Sequence, residues 1–409
     1  MLGKKSQAFI FKIYILSMYP YGIMDMKGMV KIMVKYIGVN DRKIDLFEGQ
    51  FVVPEGISYN SYLILDEKIA IMDTVDIHFK DEFLAKLKDA LEGRMPDYLV
   101  VDHMEPDHSA SIKALVEEYP NIEIIGNQAT FKMIQQFFPG FTFKQKLVKE
   151  GDVVSLGKHS LKFVFAPMVH WPEVMMSYDA YDECLYSADA FGKFGALDFD
   201  DPEGWACEAR RYYFGIVGKF GVPVQNLLKK LAGTPLKVIR PLHGPVLDSN
   251  LDYYIHLYDI WSKYEPEADA VTICYTSVYG NTKEAAELLA SNLTKEYDIF
   301  DLARDDFHEA IEGAFENKYL VLATTTYCSG IFPKMLDFLH ALKERGYQNR
   351  TIAIIENGSW SPQVKKLILE FITLNFKNIV LIPRTVTIRS ALTEENRQEI
   401  VELAKELNK

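Results

Sequence analysis

His103, Glu105, Asp107 and His108 fall in one run, His-Met-Glu-Pro-Asp-His, directly after the apolar stretch Tyr98-Leu99-Val100-Val101. Imidazole and carboxylate ligate iron, zinc and manganese, and a mixed set suits two metals sharing a site. A polar loop with a solvated charge cluster is the plainer reading. It loses because three later segments each add a ligand of the right type. Ala166-Pro167-Met168-Val169-His170-Trp171-Pro172 puts His170 in a Pro-flanked turn after an apolar strand pattern. Leu185-Tyr186-Ser187-Ala188-Asp189 ends a strand in a carboxylate, and Val238-Ile239-Arg240-Pro241-Leu242-His243 ends one in an imidazole. Strand ends are where α/β scaffolds place their chemistry. The remaining histidines, His78, His159, His256, His308 and His340, sit in helical or turn-like polar stretches and read as ordinary.

The ligand pattern resembles the metallo-β-lactamase superfamily, and within it the flavodiiron proteins. The superfamily usually opens with His-x-His-x-Asp-His, whereas Glu105 takes the second His position here, as in the flavodiiron branch. The added carboxylate hardens the site, which favours iron over zinc. By that resemblance His103, Glu105 and His170 bind one iron, Asp107, His108 and His243 bind the other, and Asp189 bridges.

The elements that must position these ligands follow a readable order. Residues 1–34 read as an N-terminal extension, disordered or the product of a mis-assigned start at which Met26, Met29 or Met33 would be the true first residue. Residues 35–265 read as one domain, opening on a hairpin with Asn60 to Leu65 and Ile69 to Asp73 as its strands. Ser109 is expected to cap a helix running to Glu118, and two helices, near 203–219 and 224–231, separate the Asp189 and His243 strands. The resemblance implies an αββα sandwich of two mixed sheets, which alternation of elements alone does not single out among α/β folds. Pro266 blocks continuation of the helix before it. Residues 266–409 then repeat strand and helix five times, which implies a parallel sheet with right-handed crossovers.

Three loops at strand ends in this second half carry the other chemistry. Thr276-Ser277-Val278-Tyr279-Gly280-Asn281-Thr282 is hydroxyl-rich and opens a helix, so its backbone N–H groups and hydroxyls can hold a phosphate without a lysine. A plain strand-to-helix turn capped by Thr282 is the alternative. Thr325-Thr326-Tyr327-Cys328-Ser329-Gly330 and Asn357-Gly358-Ser359-Trp360 tip the balance, because in a doubly wound flavodoxin-like sheet all three loops meet at the switch point where FMN sits. Tyr327 and Trp360 offer aromatic surface, and Gly330 and Gly358 allow close backbone approach. No G-x-G-x-x-G appears, which disfavours a dinucleotide site.

Composition agrees. The chain has 409 residues and a net charge of −12, against a nucleic-acid partner. Four separated cysteines form no C-x-x-C pair, which argues against an appended rubredoxin module and fits a reducing cytoplasm. The apolar stretch Phe9 to Met24 contains Lys12 and is too short to span a membrane.

The flavodiiron resemblance covers roughly residues 44 to 400. It implies FMN and two non-haem irons per chain, an oxidoreductase that reduces dioxygen to water, nitric oxide to nitrous oxide, or both, and a head-to-tail homodimer or a dimer of such dimers. It implies an external electron donor such as a rubredoxin or a reduced deazaflavin. A binuclear metal hydrolase with an accessory flavodoxin domain is the rival class, disfavoured by Glu105 and the flavin loops. An electron carrier with a vestigial metal domain is disfavoured by the full ligand set.

Overall fold

Two sheets face each other in the first half of the chain, and a third forms the second half. The computed structural model describes residues 22–24, 30–199 and 204–409. Most of the expected extension, 1–21 and 25–29, lies outside the described residues; Gly22–Met24 pairs antiparallel with Val30–Ile32. The first sheet runs in the order Lys144–Leu147, Glu123–Gly126, Tyr98–Val100, Ala70–Met72, Tyr62–Ile64, Val34–Tyr36. The second runs Val153–Ser155, Ser160–Phe165, Met175–Asp179, Cys184–Tyr186, Val238–Arg240. Both mix parallel and antiparallel pairs. Between them lies an apolar layer that includes Ile64, Met72, Val100, Phe163, Met175 and Val238, all buried. Helices such as Lys80–Leu91 cover the outer faces through side chains like Phe83 and Leu87. This is the metallo-β-lactamase-like αββα sandwich.

One local expectation fails. Ser109 does not cap a long helix: it ends the short helix Pro106–Ser109, and its Oγ donates to the Met104 carbonyl at 2.8 Å. A second helix, Ile112–Glu118, starts after Ser111. Pro106 at the first helical position, where its missing N–H costs nothing, explains the early start.

The second half is flavodoxin-like. Five parallel strands stand in the order Tyr297–Asp301, Ala268–Tyr275, Asn317–Tyr327, Thr351–Asn357, Val380–Ile388. In chain order that is 2-1-3-4-5, the doubly wound arrangement with its switch point between the first and third strands. A short strand, Gly330–Ile331, hooks back antiparallel on the third.

The two halves meet on the helix Trp205–Tyr212 and the turns after it. Phe214 stacks on Phe315 of the helix Phe307–Glu316 at 4.0 Å. Arg210, 5 % exposed, binds Glu267 through Nε and Nη2, Glu312 through Nη1, and Glu316 at 3.0 Å. Removing one member of a buried ion cluster strands the rest. Arg210→Ala should therefore cost about 3–5 kcal/mol of stability, read by urea unfolding; a loss under about 1 kcal/mol would contradict this role. Three carboxylates share this guanidinium. Burial raises Glu312 from 4.5 to about 8, although Arg210 pulls the other way. The folded state thus holds a proton that the unfolded chain releases. Its contribution is complete below pH 4.5 and fades as pH rises through about 8. Glu312→Gln should flatten the stability–pH curve across that window, and an unchanged slope would sink the assignment.

Candidate metal centre and flavin cleft

Each candidate ligand follows a strand. His103 and Glu105 sit in the loop after Tyr98–Val100, while Asp107 and His108 ride the helical turn Pro106–Ser109. His170 follows Ser160–Phe165, Asp189 follows Cys184–Tyr186, and His243 follows Val238–Arg240. Residues dispersed over 141 positions converge as two groups: His103, Glu105, His170 and Asp189, then Asp107, His108 and His243, with ligand atoms in each group within 4.8 Å of one another.

Asp189 belongs to both. Its Oδ2 lies 3.3 Å from His103 Nε2 and 3.0 Å from His170 Nε2. Its Oδ1 lies 3.3 Å from His108 Nε2 and 3.8 Å from His243 Nε2. Glu105 closes the first group, 3.0 Å from His170, and Asp107 closes the second, 3.2 Å from both His108 and His243. The His108 and His243 Nε2 atoms stand 3.0 Å apart. Both carboxylate oxygens of Asp107 and of Asp189 are buried, and what they meet is imidazole nitrogen from the other candidate ligands. Buried carboxylates and imidazoles converging on common centres suit cations, so the donor set fits a pair of metal ions.

The electrostatics say the same. Burial opposes ionisation of Asp189, yet His103 first and then His108 and His170 hold its carboxyl well below the usual range. Burial likewise opposes the charged form of His170, but Asp189 and Glu105 raise it to about 9. The site holds negative charge that protons balance in the absence of metal. Metal uptake would displace those protons.

Residues outside the expected set aim the ligands. Glu173 Oε1 accepts from His103 Nδ1 and from the Met104 N–H, both at 2.9 Å. The Ser58 carbonyl accepts from His243 Nδ1 at 2.7 Å. Each bond fixes its ring with Nε2 turned inward toward the ligand cluster. Asp73 accepts from the Asp102 and His103 N–H groups and fixes the loop. Glu173 lies just past His170-Trp171-Pro172, but nothing in its local pattern marks its reach. Glu173→Ala should lower metal affinity about 10–100-fold, measured by iron titration; unaltered affinity would remove Glu173 from this role. Phe47, Tyr59 and Tyr212 stand against His243 at 5.4, 6.0 and 5.4 Å between ring centroids, and Trp171 against His103 at 5.3 Å. These rings wall the site from water.

The three hydroxyl-rich loops form one cleft of about 540 Å³, a cofactor-sized volume. Ser277, Val278, Tyr279, Asn281 and Thr282 line it from the first loop, Thr325 to Ser329 from the second and Asn357 to Trp360 from the third. Thr276 lies buried beneath, bonded to Thr324. Gly280, at φ +96°, precedes the helix Asn281–Ser291, and Gly330 pairs with Tyr327. The cleft adds Ser361 and Ser390, which the sequence reading lacked. Ser390 follows the fifth strand, and its Oγ bonds Ser359 Oγ at 2.8 Å. Tyr279 is 93 % and Trp360 90 % exposed, which leaves aromatic surface open at the cleft. Hydroxyls at a helix N-terminus beside unpacked aromatic faces fit a phosphate-bearing flavin.

Residues 57–210 match the ODP family beta lactamase. A nitric oxide reductase of Moorella thermoacetica is 31 % identical over 82 % of this chain and 87 % of its own length. An anaerobic nitric oxide reductase flavorubredoxin of Vibrio vulnificus is 30 % identical over 81 % of this chain and 70 % of its own. The chain belongs to the flavodiiron family. It is an oxidoreductase, and its family implies FMN and a di-iron site. Two solved structures share this flavodiiron fold. Rubredoxin oxygen:oxidoreductase of Desulfovibrio gigas has a TM-score of 0.85 at 24 % identity, covering 92 % of this chain and 96 % of that one. The flavodiiron protein of Giardia intestinalis has a TM-score of 0.86 at 23 % identity, covering 92 % and 94 %. Among the described residues no helix is long and apolar enough to cross a membrane.

Proposed function

We propose that this chain reduces dioxygen, nitric oxide or both at two iron ions held in residues 35–265, drawing electrons from FMN held in residues 266–409. One observation carries the reading: Asp189 turns one oxygen toward each of two ligand groups. His103, Glu105 and His170 hold one iron, Asp107, His108 and His243 the other, and Asp189 spans them. Iron held by these residues would supply electrons to a small ligand, and a flavin in the cleft would restore them. The chain's own part is positioning. Glu173 and the Ser58 carbonyl fix the His103 and His243 rings, and Phe47, Tyr59 and Trp171 keep the site dry. The loop hydroxyls and the helix opened by Asn281 take the phosphate, while Trp360 and Tyr327 flank the ring system. The electron donor is an external carrier such as a rubredoxin or a deazaflavin, in the cytoplasm.

The rings of Tyr279 and Trp360 stand open for a partner. A domain of this size is tens of ångströms across, so direct transfer between the two sites of one chain is slow. A head-to-tail homodimer sets the flavin of one chain beside the irons of the other, and its two-fold axis makes both pairs equivalent.

The decisive experiment combines metal and flavin analysis with anaerobic reduction and separate pulses of oxygen and nitric oxide. About two irons and one FMN per chain, with rapid flavin reoxidation by at least one gas, is the expected result. Zinc without iron, or a reduced flavin indifferent to both gases, would overturn it. Mixing a flavin-loop variant with an Asp189 variant should restore activity in the heterodimer; an inactive mixture after proven subunit exchange refutes the head-to-tail arrangement.

A further inference from the structure

Oxidisable rings stand between the metal-ligand cluster and the surface, in ring contact from Tyr213 outward and joined to Tyr212 only along the chain. Tyr212 stands 5.4 Å from the His243 ring, and its buried hydroxyl has no hydrogen-bond partner. Its chain neighbour Tyr213 lies 5.1 Å from Tyr258 and 5.3 Å from Trp261. Tyr258 also stacks at 4.2 Å on Phe191, two residues past Asp189. From Trp261 the path continues to Trp205, near-parallel at 5.9 Å, then to Tyr254 at 4.7 Å and Tyr253 at 5.4 Å. Tyr253 is 41 % exposed.

Aromatic rings fill cores well, and most such clusters are packing alone. Packing does not account for the polar atoms. Among the described residues the Tyr212 hydroxyl and the Trp205 Nε1 are buried without partners, an arrangement that costs stability. Phenylalanine would fill the same space at Tyr212 without that cost. Every step from Tyr212 to Tyr253 is nevertheless a tyrosine or tryptophan, the two side chains that give up an electron most readily. Trp261 also has a proton acceptor in place: its Nε1 donates to Glu267 Oε2 at 2.6 Å.

We propose that Tyr213, Tyr258, Trp261, Trp205, Tyr254 and Tyr253 form a hole-transfer path that drains oxidising equivalents from the metal site when electron supply fails. This rests on the redox-active metal site proposed above. In the step, one electron leaves the Trp261 indole, relayed by Tyr258 and Tyr213, and reduces the oxidised site. The indole N–H bond breaks and its proton moves to Glu267. An electron from Tyr253, passed through Tyr254 and Trp205, refills Trp261, and the proton returns. Tyr253, exposed to solvent, releases its phenolic proton as it gives up the electron. A low-molecular-weight thiol then gives the Tyr253 radical a hydrogen atom, and two thiyl radicals so formed join as a disulfide.

The iron-loaded holoprotein is exposed to oxygen without a reductant, then analysed by electron paramagnetic resonance and by peptide mass spectrometry. Wild type should show an organic radical and oxidation products concentrated at Tyr253 and Tyr254. Trp261→Phe and Trp205→Phe should lower those products at least five-fold and shift damage to Tyr212, Tyr213 and the ligand histidines. Tyr253→Phe, a surface change that leaves the core intact, should likewise raise histidine damage. An identical damage pattern in wild type and all three variants, or no oxidised aromatic in wild type, overturns the path. Iron content, measured first, separates this from failure of the metal-site reading. In metal-free Trp360→Phe protein, which lacks the 90 % exposed indole, a ruthenium photo-oxidant should generate a tryptophan radical, and adding Trp205→Phe should leave less than a fifth of it; equal yields also overturn the path.

Discussion

Asp189→Asn should leave the chain folded, lower its metal content below two ions and cut turnover by more than the 10–100-fold typical of losing a residue that only orients a ligand. The reason is charge. Asp189 is fully buried and faces four imidazoles from His103, His108, His170 and His243. As a carboxylate it offers one oxygen to each ligand group; as an amide it offers one weak oxygen and a donor that no cation accepts. One group then loses a ligand and the other keeps only a weak one, and the remaining charges, Glu105 on one side and Asp107 on the other, no longer balance two divalent ions. Metal analysis and gas-reduction assays read the result together. A variant that keeps both ions and full turnover would refute the bridging role.

Gly358→Val should release the flavin and leave metal content unchanged. A Cβ at Gly358 would meet the Pro362 backbone at 2.9 Å and its nitrogen at 3.2 Å. The Gly358 N–H also donates to the Ile388 carbonyl at 3.0 Å, so the loop cannot retreat without breaking the tie to the fifth strand. Trp360→Ala is the milder counterpart. It removes a 90 % exposed ring, and should weaken flavin about 10-fold, near the upper end of the ~0.5–1.5 kcal/mol of an aromatic pair. No residue lining the cleft is among the seven metal-ligand candidates, so iron should persist in both variants. Loss of iron with retained flavin would show that the loops were wrongly assigned.

Local pattern determined a large part of this protein. Strand-then-ligand segments marked His103, His170, Asp189 and His243, because a strand signal and the residue after it lie within a few positions of each other. The five strand–helix repeats after Pro266 and the three hydroxyl-rich loops were legible for the same reason, and the observed 2-1-3-4-5 order agrees with the flavodoxin-like reading. Ser109 shows where local reading fails: its hydroxyl prefers the Met104 carbonyl to a helix cap. Only tertiary structure decided that Glu173 aims His103 across 70 positions and that His108 meets His243 across 135. It likewise placed Arg210 of the first half among Glu267, Glu312 and Glu316 of the second, and lined up the rings from Tyr212 to Tyr253. Such pairings leave no periodicity in the chain, since they depend on how whole sheets and helices stack.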